Sequence, residues 1–263
     1  MRRLPPALDT HAHVAPAIAP RELSALSAVV FAVTRSSTEW DAVARRDDPT
    51  TVWGIGCHPK VKAAHAVFDA DRFSDFVSQF ALIGEVGLDG RSALSMGQQR
   101  QTFDAVLGVL ADQPRIVTIH SAGANGAVLE MLRQHGTRGA ILHWWRGTRA
   151  QTETALELGC FFSCNGAEVN IPKVVDVVPR SRILTETDFP HSRRTDPSAD
   201  RPGAVSTIEQ ALANVWECES GDVRRQVWRN LRAVVDLTAS ADLLPHEVQG
   251  TLLRDLGDGL QKT

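Results

Sequence analysis

Eight short apolar runs, separated by segments of helical character, organise this chain: Ala7 to His13, Ala28 to Thr34, Thr51 to Cys57, Ala81 to Leu88, Arg115 to His120, Gly139 to Trp144, Cys160 to Cys164 and Arg182 to Thr187. Runs that are apolar throughout, without alternation, suit strands buried on both faces, and such strands belong to parallel sheets covered by helices. The intervening segments carry the matching signal. Phe103, Val106, Leu107 and Leu110 recur at the i, i+3, i+4, i+7 spacing of an amphipathic helix opened by the polar stretch Ser95 to Gln101, and the Ser36 to Glu39 spacing predicts a capping box at another helix start. Eight strand and helix units are what a closed (β/α)8 TIM barrel requires; an open doubly wound sheet is the rival arrangement.

The residues that end these runs decide between the two. His11, His13, Glu85, His120, His143 and Asp188 fall at the carboxyl ends of the first, fourth, fifth, sixth and eighth runs. In a barrel those ends meet on one face, whereas the first and eighth strands of an open sheet lie too far apart to share a site. The expected class is therefore α/β with a (β/α)8 barrel, the whole chain of 263 residues forming a single domain. A plain polar helical tail is expected from about residue 240, over Pro245 to Gln261, packed outside the barrel.

Composition narrows the partners. With 43% apolar residues the chain can build a core, and a formal net charge of −3 excludes a globally basic nucleic-acid coat, so any contact with a polyanion is local. Cys57, Cys160, Cys164 and Cys218 form no CxxC pair and follow no secretory signal, which points to a reducing cytoplasm. No stretch approaches the roughly 18 consecutive apolar residues of a membrane span.

Within Asp9-Thr10-His11-Ala12-His13, two histidines spaced two apart face the same side of an extended strand and can chelate one cation together. Asp9 shares their parity, and either holds an imidazole tautomer or caps a turn. Glu85 is a carboxylate in an apolar run, where its charge demands a partner, a metal or a buried arginine. His120 and His143 each close such a run. Asp188 and Glu186 share a strand face, where two acids repel unless cations intervene. Asp188 is placed to ligate a cation and accept a proton from water, and Glu186 to orient its neighbours. His58 follows the third run and is expected at the mouth, while His65, His135, His191 and His246 are left unassigned.

Taken in order, DTHAH, GIGCHP, GEVGLD, IHS, HWWRG and ETDFP resemble the TatD-like metal-dependent hydrolases of the amidohydrolase superfamily, over about Leu8 to Asp236. The resemblance implies a barrel holding two divalent metal ions, Mg²⁺, Mn²⁺ or Zn²⁺. One would sit on His11, His13 and Asp188 and the other on His120 and His143, with Glu85 bridging. It also implies deoxyribonuclease activity on single-stranded DNA, with Asp188 and Glu85 as the catalytic pair. Two positions depart from the family pattern: Gly90 stands where an aromatic is common, and Ala122 where an arginine is common, so a phosphate clamp is missing or replaced. Cations expected in loops on the same face are Arg35, Lys60, Lys62, Arg91, Arg146, Arg193 and Arg194.

The substrate-contacting candidates are His58, Trp145 and Arg146. Trp145 is expected to stack a nucleobase or to pack under the loops, and Trp144 to pack. The Trp144-Trp145 pair resembles divergent TatD-like subunits of Qat anti-phage defence systems, which implies work beside other defence-system proteins. Hydrolysis of another ester or amide, such as D-aminoacyl-tRNA, and a role mainly in assembly are the alternatives.

Overall fold

The computed structural model describes residues 4–166, 174–194 and 197–254, the side chains of Arg193 and Arg194 excepted. Its sheet runs β1 (Ala7–His13), β2 (Ala28–Val33), β3 (Thr51–Ile55), β4 (Leu82–Gly87), β5 (Ile116–His120), β6 (Ala140–His143), β7 (Phe161–Cys164) and β8 (Ile183–Thr185), in that spatial order. Each strand from β2 onward pairs in parallel with the one before it. Nearly every strand residue is buried, which explains the uninterrupted apolar runs: one face fills the barrel interior and the other meets helices. The (β/α)8 barrel is thus the observed fold.

Ten α-helices are seen among the described residues: α1 (Pro20–Ser24), α2 (Ser37–Val43), α3 (Lys62–Ala66), α4 (Ala70–Val77), α5 (Met96–Asp112), α6 (Asn125–His135), α7 (Arg149–Glu157), α8 (Ser206–Trp216), α9 (Ser220–Thr238) and α10 (His246–Arg254). Phe103, Val106, Leu107 and Leu110 form the buried face of α5, whose N-cap Ser95 accepts from the Gln98 N–H. The helix expected after Ser36 is present as α2, but its capping box is not. Ser36 Oγ bonds Thr38 Oγ1, while Glu39 accepts from the Arg35 N–H instead of that of Ser36. Of the predicted tail, α10 buries Val248 and Leu252, and the part beyond residue 254 lies outside the described residues. No helix among the described residues is long and apolar enough to cross a membrane.

The seam between β8 and β1 closes by side chains as much as by backbone. Thr10 Oγ1 donates to Thr185 O at 3.0 Å and Thr185 Oγ1 to Leu8 O at 2.5 Å. Beyond the strand ends, Asp188 N donates to His11 O and His13 N to Phe189 O, at 2.9 and 2.8 Å. This stitching places the Asp188 side chain beside the histidines of β1. Pairing register also shifts between Asp9 and Ala12 in β1 and between Ile83 and Val86 in β4. Such irregularities re-aim side chains, and these two lie on the strands that carry His11, His13 and Glu85.

Candidate metal centre

Glu85 is the hub of the carboxyl-end face. Its Oε1 lies 2.6 Å from His120 Nδ1 and 2.9 Å from His143 Nε2, and its Oε2 lies 3.1 Å from His13 Nε2, 3.2 Å from His58 Nε2 and 3.6 Å from His11 Nε2. Asp188 Oδ1 approaches His13 Nε2 to 3.5 Å and His11 Nε2 to 3.8 Å. The His11 and His143 rings stack at 4.0 Å between centroids. Five histidines and two carboxylates thus converge from β1, β4, β5, β6 and the segments after β3 and β8. The close approach of β3 and β4 makes room for this: a Cβ on Gly56 would stand 2.4 Å from the Gly84 and Glu85 backbone, so only glycine serves there.

Burial opposes a charge on Glu85, yet His58, His143, His11 and His120 hold its carboxyl well below the usual range. Burial likewise disfavours protonated His143, but Glu85 and Glu186 raise it well above the ordinary imidazole value. His13, opposed by burial and favoured by Asp188 and Glu85, rises to about 9, whereas burial pushes His58 down to about 3. The set therefore mixes imidazoles that hold a proton with imidazoles that offer a free lone pair.

The donors fit a cation. His11 Nε2, His13 Nδ1, Glu85 Oε2, His143 Nδ1 and Asp188 Oδ1 are buried and have no hydrogen-bond partner among the described residues. Buried polar atoms left in this state are uncommon. Of the five, His11 Nε2, Glu85 Oε2 and Asp188 Oδ1 face one another, His11 Nε2 lying 3.6 Å and 3.8 Å from the two carboxylate oxygens, and nitrogen and oxygen donors set in this way are what a divalent ion binds. The Nδ1 atoms of His13 and His143 lie across their rings from the Nε2 atoms that face Glu85. Three overlapping groups can hold an ion: His11 with His143 and Asp188, His11 with His13 and Glu85, and His58 with Glu85 and His120.

Neighbours fix the rings. Thr118 Oγ1 lies 2.6 Å from His11 Nδ1, and Asp89 Oδ2 lies 2.8 Å from His120 Nε2, while Asp89 Oδ1 accepts from Arg91 N at 2.6 Å. Glu186 accepts from the Trp144 N–H at 2.9 Å and from the Ser163 hydroxyl, and stands 3.8 Å from His143 Nδ1.

The model of the TatD related DNase family matches residues 8–236. The chain belongs to that family. A TatD protein of Klebsiella pneumoniae (strain 342), named a 3′-5′ ssDNA/RNA exonuclease, is 29% identical over 140 residues, 46% of this chain and 53% of the relative. The chain thus spans about half the length of that relative. Among solved structures, the TatD homologue YjjV of Escherichia coli K12 superposes with a TM-score of 0.74 at 17% identity, over 88% of this chain and 98% of that one. A TatD family hydrolase of Entamoeba histolytica gives 0.71 at 12% identity, over 87% and 97%. Both likenesses concern the fold.

At Asp9 and Trp145 of this TatD-family chain the structure chooses between two expected roles, and at Trp144 it departs from the expected one. Asp9 touches no imidazole: its carboxylate accepts from the N–H groups of His11, Thr187 and Gly203 and from the Thr187 hydroxyl, so it ties the end of β1 to the segment after β8. Trp145 is only 2% exposed, donates its Nε1–H to Thr152 Oγ1 and meets Phe162 edge-on. Base stacking is closed to it. Trp144, expected in the packing, is the half-buried member of the pair, with the exposed Arg146 guanidinium 4.9 Å over its ring.

The two departures from the TatD pattern touch one another. Gly90 N donates to Ala122 O at 2.8 Å, and a Cβ on Gly90 would meet Gly123 O at 2.5 Å, so an aromatic here would drive the two loops apart. His58 lies at the centre and not merely at the mouth, the His191 ring sits edge-on to His13 at 4.7 Å, and Asp89 holds His120. His191 carried no sequence signal beyond following ETDFP directly, and Asp89 none beyond being the last residue of GEVGLD. Arg193 and Arg194 lie outside the described side chains.

Proposed function

We propose that this TatD-family chain is a metal-dependent hydrolase of phosphodiester bonds in single-stranded nucleic acid. In this reading His11, His13 and Asp188 hold one divalent cation, His120 and His143 a second, and Glu85 lies between them. The observation that carries it is the convergence of imidazole and carboxylate donors on Glu85 and Asp188. The name of the Klebsiella relative supports a single-stranded substrate. Bound divalent cations supply the charge that lowers the pKa of water and offsets negative charge gathering on phosphoryl oxygens. The donor set, rich in imidazole, suits Zn²⁺ and Mn²⁺, and its carboxylates also serve Mg²⁺.

The residues do the rest. Asp188, held ionised by His13, His143 and His11 against the effect of burial, accepts the proton of the attacking water at its carboxylate. Glu85 keeps the two halves of the donor set in register, and Glu186 holds the β6 end through Trp144 N. His58 and Arg146 face the substrate. Partnership with defence-system proteins was suggested by the Trp144-Trp145 pair, and with Trp145 serving the core our proposal is confined to the hydrolase.

The test uses the protein loaded in turn with Mg²⁺, Mn²⁺ and Zn²⁺, offered 3′-labelled and 5′-labelled single-stranded DNA, beside a His11→Ala/His13→Ala variant. Nucleotide release by the wild type, lost in the variant together with bound metal by elemental analysis, is the expected result. A fully metallated protein that releases no nucleotide but deacylates D-aminoacyl-tRNA overturns the reading.

A further inference from the structure

One cation at the barrel mouth is held differently from the other loop charges. Arg35 follows β2 directly, and its backbone is pinned on both sides: its N–H donates to Glu39 Oε2 at 2.6 Å and its carbonyl accepts from His58 N at 3.0 Å. The preceding residue, Thr34, accepts from Glu85 N at 2.9 Å. Arg35 is therefore one residue from the backbone of the central carboxylate and bonded to the backbone of a histidine whose ring touches that carboxylate. Its charge also reaches the site, since after burial it is among the influences that lower both His58 and His191.

The guanidinium itself is unused. Nε is buried without a hydrogen-bond partner, and Arg35 makes no ion pair with any described residue. Glu39 accepts from the Arg35 backbone N–H and not from its guanidinium. A buried donor left bare costs free energy in the unliganded protein, and the nearby cations Lys60 and Arg146 are each occupied by a neighbour, Asp89 at 3.9 Å and the Trp144 ring. A half-buried arginine whose backbone is pinned beside the metal centre and whose guanidinium has an unpaired donor, in a chain of net charge −3, has what a local anion site needs. Its planar fork matches two oxygens of a phosphate, which a point charge does not.

We propose that Arg35 is the phosphate anchor of this site, binding the backbone phosphodiester of a single strand at the mouth on the side of β1 to β3. The inference rests on the hydrolase reading of the centre. The test is made on metal-free protein in EDTA, where nothing is cleaved, by titrating a fluorescein-labelled oligothymidylate at a series of salt concentrations. Arg35→Gln is expected to weaken binding and to make the slope of log K against log salt shallower by about 0.7, the share of one phosphate contact on a single strand. Arg35→Lys is expected to keep the slope but bind more weakly, having lost the fork. Arg232→Gln, altering a cation bonded to Asp236 on α9, is the control that leaves both unchanged.

An unchanged slope in a folded Arg35→Gln protein overturns the proposal. Should that variant fail to fold, wild-type protein treated with phenylglyoxal gives a second readout: oligothymidylate, but not thymidine, is expected to slow modification of Arg35, and equal rates overturn the proposal. The two readings fail separately. A slope reduced by Arg35→Gln in a protein that releases no nucleotide when metallated keeps the anchor and sinks the hydrolase, and cleavage with an unchanged slope does the reverse.

Discussion

The floor of the barrel mouth and its rim are built to opposite rules. On the floor, side chains from four strands and from the segments after β3 and β8 interlock at 2.6 to 3.8 Å around Glu85, and nearly all of them are buried. On the rim, Lys60, Lys62, Arg91 and Arg146 are exposed, and the contacts they make are loose, 3.9 Å from Lys60 Nζ to Asp89 and 4.9 Å from Arg146 to the Trp144 ring. Position is fixed on the floor because the His11 and His120 rings are each held by a further residue, Thr118 and Asp89; on the rim, Arg35 has its backbone tied at two points. The contrast teaches that chemistry is specified by the rigid part, while substrate choice depends on a part with few constraints.

Three measurements can break or sharpen this contrast, beyond the two assays described above. The largest effect is expected from Trp145→Ala. If Trp145 supports the floor from below, its removal costs about 3–5 kcal/mol, as large aromatic deletions in cores do, and thermal unfolding shifts down by many degrees. An unchanged midpoint would return Trp145 to the rim. Next is Asp89→Asn, which replaces the carboxylate on His120 Nε2 with an amide. Residues that orient a metal-binding histidine typically contribute about 10–100-fold in metal affinity. Titration against a competing chelator should show that loss, and equal affinity would mean that Asp89 serves only the Arg91 turn.

The smallest effect concerns thiols. Burial pushes the Cys57 and Cys160 thiols up to about 12 and raises that of Cys164 as well, so these three are protonated and unreactive at pH 8. Ellman's reagent on native protein at pH 8 should therefore find at most Cys218, the half-buried one, and all four cysteines in denaturant. Rapid reaction of two or more in the native state would show that the strand ends are open.

Much of the floor was legible because barrel strands leave a plain mark. The eight apolar runs match the eight strands to within a few residues, since burial on both faces removes the alternation that elsewhere hides a strand in its context. His11, His13, Glu85, His120, His143 and Asp188 stood out as polar residues that end such runs, and the structure brings all six together. The supporting residues were less visible. Asp89 and His191 lie in loops, where a charged or polar residue is unremarkable, and only the folding of those loops over the floor gives them a partner.

Asp9 and the tryptophans show the limit from the other side. Strand parity put Asp9 with the histidines, but the register shift that follows it turned its carboxylate to the backbone of the β8 seam. Trp144 and Trp145 are adjacent and chemically identical, so nothing in their types says which one is buried. A positive φ of 41° at Trp144 reverses the chain there, keeping Trp144 at the mouth while Trp145 enters the core.

By itself, then, the sequence determined the strand count, the barrel and the donors of its floor, because periodicity and the rarity of buried polar residues are local properties. Only the tertiary structure decided which residues hold those donors, which tryptophan is buried, and that Arg35 pairs with no acid among the described residues. Each of these depends on contacts between segments far apart in the chain.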